Sequence, residues 1–196
     1  MKRALVTGGS GGIGAAICKR LAADGHHVIV HASRSKEKAE AVVAEIVAAG
    51  GSAEAVAFDV TDRAATAAAL EKLLEPGPIQ ILVNNAGIHA DAVFPGMSAD
   101  QWHSVIDVSL NGFFNVTQPL TMPMIRTRWG RIVSVSSVAA VAGNRGQVNY
   151  AAAKGALHAA SMSLALELAS RGVPVNVVVP GLIATGMIEG SFDGDA

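Results

Sequence analysis

Residues 4–14 read Ala4-Leu5-Val6-Thr7-Gly8-Gly9-Ser10-Gly11-Gly12-Ile13-Gly14. A short apolar run passes into a glycine-dense turn and then into a helical pattern starting at Gly12. Glycines permit a tight turn and let an anion come close to main-chain N–H groups at a helix N-terminus, where the helix dipole adds partial positive charge. Two glycine registers fit. Gly9, Gly11 and Gly14 satisfy G-x-G-x-x-G, whereas Gly8, Gly12 and Gly14 satisfy G-x-x-x-G-x-G. No Gly-Lys-Ser/Thr is present, which excludes a P-loop.

Outward from this turn, apolar runs alternate with longer helical patterns. Strands are predicted at 4–7, 27–31, 53–58, 80–84, 131–135 and 174–179, rich in Val, Ile and Leu and mostly without alternation, as strands buried on both faces require. Helices are predicted at 12–24, 36–49, 62–74, 101–126 and 149–170, with Gly25, Gly50, Gly130 and Gly172 as C-terminal punctuation. Strand–helix repetition implies a parallel sheet with right-handed crossovers, a doubly wound α/β fold in three layers. A chain of 196 residues, 51% hydrophobic, suits a single domain with a substantial core. A net charge of −1 argues against nucleic acid or an anionic membrane as partner. One cysteine, Cys18, excludes an internal disulfide, and the six histidines lack metal-ligand spacing, so no metal site is expected. No apolar run reaches the span of a membrane helix, and a cytoplasmic location is the expectation.

The end of the second strand, His31-Ala32-Ser33-Arg34-Ser35-Lys36, carries no carboxylate to bond a ribose 2′-hydroxyl. A 2′-phosphate would instead find the Ser33 hydroxyl, the Arg34 guanidinium and an ammonium, which favours NADP(H). Further along, Tyr150 and Lys154 are four residues apart on a predicted helix, hence on one face. A cation about 4 Å from a phenol contributes roughly 4 kcal/mol at an effective dielectric of about 20. That is enough to lower the phenol pKa towards the range of general acid–base work, and such a pair can exchange a proton with a carbonyl or alcohol oxygen.

These marks occur together and in order: Thr7-Gly8…Gly12-Ile13-Gly14, Asp59-Val60, Asn84-Asn85-Ala86-Gly87, Ser137, Tyr150 with Lys154, and Pro180-Gly181…Thr185. On them the chain resembles the short-chain dehydrogenase/reductase family over essentially its whole length. Within it, Gly130-Arg131-Ile132-Val133, Asn144-Arg145-Gly146-Gln147-Val148-Asn149-Tyr150 and Leu168-Ala169-Ser170-Arg171-Gly172 resemble the 3-oxoacyl-[acyl-carrier-protein] reductase group. The resemblance implies a Rossmann-like sheet and NADPH-dependent reduction of a 3-oxoacyl thioester. Tyr150 would protonate the carbonyl oxygen, Ser137 would hydrogen-bond it, and Lys154 would lower the phenol pKa and hold the nicotinamide ribose. Gly8, Gly9, Ser10, Gly11, Gly12, Ile13 and Gly14 would form the pyrophosphate turn, with Ser33 and Arg34 on the 2′-phosphate. Asp59 would accept from the adenine amino group beside the Val60 backbone, or equally cap the next helix. Asn85, Ala86 and Gly87 would meet the adenosine ribose, with Asn84 alternatively an amide joining strands. Pro180, Gly181, Ile183 and Thr185 would lie against the nicotinamide and the phosphates. Arg128 and Arg171 would face an acidic acyl carrier protein, or be plain surface charge.

Two departures stand out. Ser109 occupies the place where the family has a catalytic asparagine, which implies a weakened proton relay; Asn111 is two residues on and faces another way. Relatives also continue past Thr185 into a substrate-covering helix, a seventh strand and a tetramer contact, so the expectation is six strands in a domain truncated at its C-terminus. The 101–126 and 149–170 helices remain as a homodimer or homotetramer surface. Alternatives are a ketoreductase or alcohol dehydrogenase acting on another carbonyl, or a cofactor-binding protein with little turnover.

Overall fold

The computed structural model describes residues 1–183. Its strands are β1 (Arg3–Val6), β2 (His27–Ala32), β3 (Ser52–Ala57), β4 (Ile81–Asn84), β5 (Arg131–Val135) and β6 (Val175–Val178). The helices are α1 (Gly12–Ala23), α2 (Lys36–Ala48), α3 (Arg63–Leu74), α4 (Ala99–Ile106), α5 (Gly112–Thr127), α6 (Ala139–Ala142) and α7 (Val148–Leu168). One six-stranded sheet runs in the order β3-β2-β1-β4-β5-β6, and every pairing is parallel. This is a Rossmann-like sheet. The chain winds outward from β1 to β3, then returns to β4 on the other side of β1. That reversal opens a crevice beyond the carboxyl ends of β1 and β4, where open α/β sheets bind ligands.

The register explains why both faces are covered. Leu5 is aligned with Ile29 and Leu82, and Leu82 with Ile132, so one row of side chains points to one face. That row packs with Leu70 and Leu73 of α3 and Val116, Leu120 and Met124 of α5. The next row, Val6 with Val30 and Val83, points the other way and packs with Cys18 and Ala22 of α1 and Ala39, Val42 and Ile46 of α2. Among the described residues β6 is an edge strand, with Val178 51% exposed.

The structure corrects two expectations. The single helix predicted over 101–126 starts earlier and is interrupted. Ser98 caps α4 in a capping box with Gln101, and a π-helical turn over Asp107–Asn111 separates α4 from α5. Backbone dihedrals stay helical on both sides, so the apolar period barely changes and gives no sign of the wider turn. Gly130 is not the residue that ends α5. Arg128 takes the left-handed conformation there (φ 50°). Gly130 instead makes room for Met124, whose Sδ lies 2.7 Å from where a Cβ would stand. Gly25, Gly50 and Gly172 do end their helical segments with positive φ.

Candidate active site

The glycine turn is built around Gly8, whose φ of +63° suits glycine. Its N–H donates to His31 Nδ1 at 3.1 Å, and its carbonyl accepts from Gly11 N–H at 3.1 Å and Asn85 Nδ2 at 3.2 Å. A Cβ on Gly14 would overlap the Gly8 carbonyl oxygen and stand 2.8 Å from Asn85 Nδ2. Gly9 has a different duty. A Cβ there would stand 2.9 Å from the Val6 carbonyl and 3.0 Å from Cys18 Sγ, so Gly9 serves core packing. Gly11 meets only an ordinary contact at 3.5 Å. The turn therefore constrains Gly8 and Gly14, the outer members of the G-x-x-x-G-x-G register. Gly11 caps α1 without a side-chain bond, so the first N–H groups of that helix, including those of Gly12 and Ile13, have no side-chain acceptor.

Two cavities adjoin beyond the strand ends, with the neighbours Gly87 and Ile88 lining one each. The first, of about 700 Å³, is lined by Ser10, Ser33, Arg34, Lys38, Asp59, Thr61 and Asp107, so its two cations are matched by two carboxylates. Lys36, the nearer ammonium in the sequence, pairs with Glu40 at 3.2 Å, and Lys38 lines the cavity in its place. Asp59 Oδ1 accepts from Thr61 N–H at 2.9 Å and Thr61 Oγ1 at 2.8 Å. The Thr61 N–H, the Thr61 hydroxyl and the charge of Arg34 hold its carboxyl below the usual range. Asp59 is not the cap of α3; Asp62 is, accepting from Ala65 N–H at 2.9 Å.

The second cavity, of about 600 Å³, brings together Ile13, Gly87, Ser137, Tyr150, Lys154, Pro180, Gly181 and Ile183. Ser137 follows the end of β5, and Tyr150 and Lys154 share one face of α7. The two neighbouring serines are structural: Ser136 Oγ donates to the Lys154 carbonyl at 3.0 Å, and Ser134 accepts from Ser161 Oγ at 2.8 Å. Lys154 is 2% exposed, and its Nζ donates to the Val135 carbonyl at 2.9 Å. Burial lowers its pKa to about 8. The expectation that Lys154 pulls the phenol down is corrected here. Nζ lies 5.8 Å from the Tyr150 ring centre, and the phenol is pushed above its ordinary value. Burial does most of this and the Asp91 carboxylate adds to it, while the Ser137 hydroxyl works in the opposite sense. The phenol is thus held in its proton-carrying form.

A family model for short chain dehydrogenases matches residues 2–196. The chain belongs to the short-chain dehydrogenase family. A 3-oxoacyl-[acyl-carrier-protein] reductase FabG of Staphylococcus aureus is 44% identical over 193 residues, which is 98% of this chain and 78% of that protein. A 3-oxoacyl-[acyl-carrier-protein] reductase of Synechocystis sp. is 45% identical over 187 residues, 95% of this chain and 76% of the relative. An acetoacetyl-CoA reductase of Cupriavidus necator is 44% identical over 187 residues, with the same two coverages of 95% and 76%. The chain is accordingly a short-chain oxidoreductase.

The remaining residues marked by the family resemblance fall outside the two cavities, for identifiable reasons. Asn84 joins a strand to a helix, not two strands, donating from Nδ2 to Thr117 Oγ1 of α5 at 3.0 Å. Asn85 spends its amide on the Thr7 carbonyl (3.0 Å) as well as on Gly8, and its own N–H and that of Ala86 donate to Thr7 Oγ1. Val60 is buried, its carbonyl accepting from Asn115 Nδ2 at 2.9 Å. Ser109 sits on the π-helical turn, 2% exposed, with a hydroxyl that has no hydrogen-bond partner. Asn111 is exposed and donates to Asp107 Oδ1 at 2.7 Å. Arg128 and Arg171 are both exposed, and Arg128 lies against Gly172. They precede β5 and β6 and so sit at the end of the sheet away from both cavities. Thr185 lies outside the described residues.

Sequence reasoning missed several groups. Asp91 in the second cavity accepts from Gln147 Nε2 at 2.9 Å and lies 3.3 Å from His89 Nδ1. Asn149 is fully buried and donates to the carbonyls of Ala90 and Gln101, both at 2.9 Å, which ties the loop after β4 to α7 beside Tyr150. No spacing rule marks such contacts, because they join positions about 50 residues apart in the chain. Among the described residues, no group of His, Cys, Asp or Glu is arranged to hold a metal, and no helix is long and apolar enough to cross a membrane.

Proposed function

We propose that this short-chain dehydrogenase reduces 3-oxoacyl thioesters borne on an acyl carrier protein, with NADPH as the reductant, as a step of fatty acid synthesis. The observation that carries the proposal is the meeting of Ser137, Tyr150 and Lys154 in one cavity that adjoins, across the glycine turn, a cavity lined by Ser33, Arg34 and Lys38. The dinucleotide fits the residues present. The Gly8–Gly14 contact leaves no room for a side chain at Gly14, and Ser33, Arg34 and Lys38 offer hydroxyl, guanidinium and ammonium to a 2′-phosphate. The second Asp59 oxygen is left for the adenine amino group. Ile13, Pro180, Gly181 and Ile183 would contact the nicotinamide half and Lys154 its ribose, while Gly87, expected at the adenosine ribose, lines the same cavity as Lys154.

When bound, NADPH supplies the hydride. The chain's own residues do the rest. Ser137 donates a hydrogen bond to the substrate carbonyl oxygen and orients it. Tyr150 gives its proton to that oxygen as negative charge develops there, and its raised pKa keeps it protonated and ready for the reductive direction. Lys154, beside the phenol and buried, steadies the phenolate that the transfer leaves. Ser109, whose buried hydroxyl has no partner in the protein, would take the part of the family's asparagine in the return of the proton.

The whole chain is read as one dinucleotide-binding domain that works in the cytoplasm as a homo-oligomer. Support for self-association comes from apolar side chains left bare on α5 and α7, namely Phe114 and Met122, and Met162 and Leu166, the last 83% exposed. Arg128 and Arg171 are the proposed contact for the acidic carrier. A second reading, reduction of a CoA thioester, is favoured by the 44% identity to an acetoacetyl-CoA reductase.

The test is loss of reduced-nicotinamide absorbance with NADPH and either acetoacetyl carrier protein or acetoacetyl-CoA, with NADH as the parallel run. Faster turnover on the carrier thioester supports the first reading, and preference for CoA supports the second. Tyr150→Phe is expected to cut turnover by about 10²–10⁴-fold while leaving NADPH affinity in place. Unchanged turnover in that variant would sink the mechanism, and NADPH binding without turnover on either thioester would leave a binding protein.

A further inference from the structure

His31 stands in β2, one residue from its end, and the proposed reaction makes no use of it. It is 1% exposed, an unusual place for an imidazole. Both ring nitrogens are engaged with main chain. Nδ1 accepts from Gly8 N–H at 3.1 Å, and Nε2 donates to the Phe58 carbonyl at 2.8 Å. Only the neutral ring with its hydrogen on Nε2 makes both bonds. Burial, which lowers the ring pKa to about 4 against the opposing pull of the Phe58 carbonyl and the Asp59 carboxylate, favours that neutral form. The ring also packs on Phe58, centroid to centroid 4.2 Å.

The two groups it joins belong to different halves of the proposed cofactor site. Gly8 heads the glycine turn, and the Thr7–Gly8 peptide, whose N–H His31 receives, is gripped on its opposite side by Asn85, whose Nδ2 donates to the Thr7 carbonyl at 3.0 Å. Phe58 precedes Asp59, which lines the first cavity with Arg34. We propose that His31 is a positioning residue for the dinucleotide: its Nδ1 sets the orientation of the Gly8 peptide and thereby holds the pyrophosphate turn in register with the Asp59 corner. This rests on the dinucleotide reading above and deepens it. A residue that merely filled the core would need neither nitrogen; here each has one main-chain partner, and the Gly8 bond is made at the one glycine of the turn whose φ is positive.

Asparagine and glutamine separate the two ends of the ring. The asparagine oxygen stands where Nδ1 stands, whereas the glutamine amide reaches the place of Nε2. NADPH binding is measured by fluorescence titration of the full chain, with urea unfolding of the same samples as the stability control. His31→Leu and His31→Gln are expected to weaken NADPH by about tenfold, the worth of one hydrogen bond to a positioned backbone group. His31→Asn is expected to stay within about threefold of the parent. Should His31→Leu not fold, the contrast of asparagine with glutamine decides alone. Equal affinity in those two variants, or losses that follow only their unfolding midpoints, would overturn the assignment. A parent chain that binds neither NADPH nor NADH would instead remove the dinucleotide reading, and this inference with it.

Discussion

Replacing Lys154 with methionine is expected to make the ligand-free protein more stable at neutral pH while disabling it. Lys154 is 2% exposed and no salt bridge among the described residues includes it, so its ammonium is desolvated without a carboxylate in return. Its pKa falls from 10.5 to about 8 through that burial. At about 1.4 kcal/mol per pH unit, the charged form costs the fold about 3 kcal/mol. Methionine keeps the length and the apolar stem but gives up the bond to the Val135 carbonyl, a loss of about 1 kcal/mol. The net expectation is a gain of about 2 kcal/mol at pH 7. The sign follows from proton counts. Between pH 8 and 10.5 the unfolded chain holds a proton that the folded chain has released, so the parent's stability rises through that window. Below pH 8 the parent bears the full cost and the variant's advantage is greatest; above 10.5 only the lost hydrogen bond remains and the variant is the weaker. Urea unfolding at pH 7 and near pH 10.5, compared at unchanged m-value, reads this directly. A variant no more stable than the parent at pH 7, or a difference that does not change with pH, would mean that the buried ammonium does not destabilise the fold. The outcome expected is a trade of stability for chemistry at the site.

Three further predictions concern single features. Gly14→Ala puts a Cβ onto the Gly8 carbonyl, which is backbone and cannot swing away, so it is expected to cost about 3 kcal/mol and NADPH binding, whereas Gly11→Ala costs under about 1 kcal/mol; equal melting temperatures for the two would mean that the Gly14 position has room for a side chain. Ser109→Ala removes a buried hydroxyl that has no partner and is expected to leave stability unchanged or raise it by about 1 kcal/mol, so a clear drop in chemical denaturation would mean the hydroxyl is satisfied after all. Removing Arg34 and Lys38 together by alanine is expected to weaken NADPH by about 10–100-fold and NADH hardly at all, and parallel losses for both dinucleotides would rule out the 2′-phosphate site.

Much of the fold and of the candidate site was legible in the chain because both rest on short-range order. The inner strands were readable as Val-, Ile- and Leu-rich runs, since a strand covered on both faces has no polar side to interrupt it, whereas the edge strand β3, Ser52–Ala57, is Ala-rich and partly exposed. The Tyr150–Lys154 pair was readable because four residues make one helical turn. The π-helical turn at Asp107–Asn111 was not readable, since it adds a residue to a turn without disturbing the helical dihedrals on either side. Nor was the left-handed residue Arg128, chosen over a nearby glycine that Met124 needs.

The order of residues alone set the alternation of strand and helix, the glycine turn, and the side chains able to move a proton. Tertiary structure decided the environment of each. Burial turned Tyr150 into a retained acid and Lys154 into a weakened base, although their spacing alone suggests the opposite effect on the phenol. Packing divided the glycines, giving Gly8 and Gly14 to the turn and Gly9 to the core beside Cys18. Strand order set His31 between the turn and the Asp59 corner. The physical reason is the same throughout: spacing along a chain fixes which groups can share a face, but desolvation and contact depend on groups brought together from distant positions, and those exist only once the sheet has closed its order.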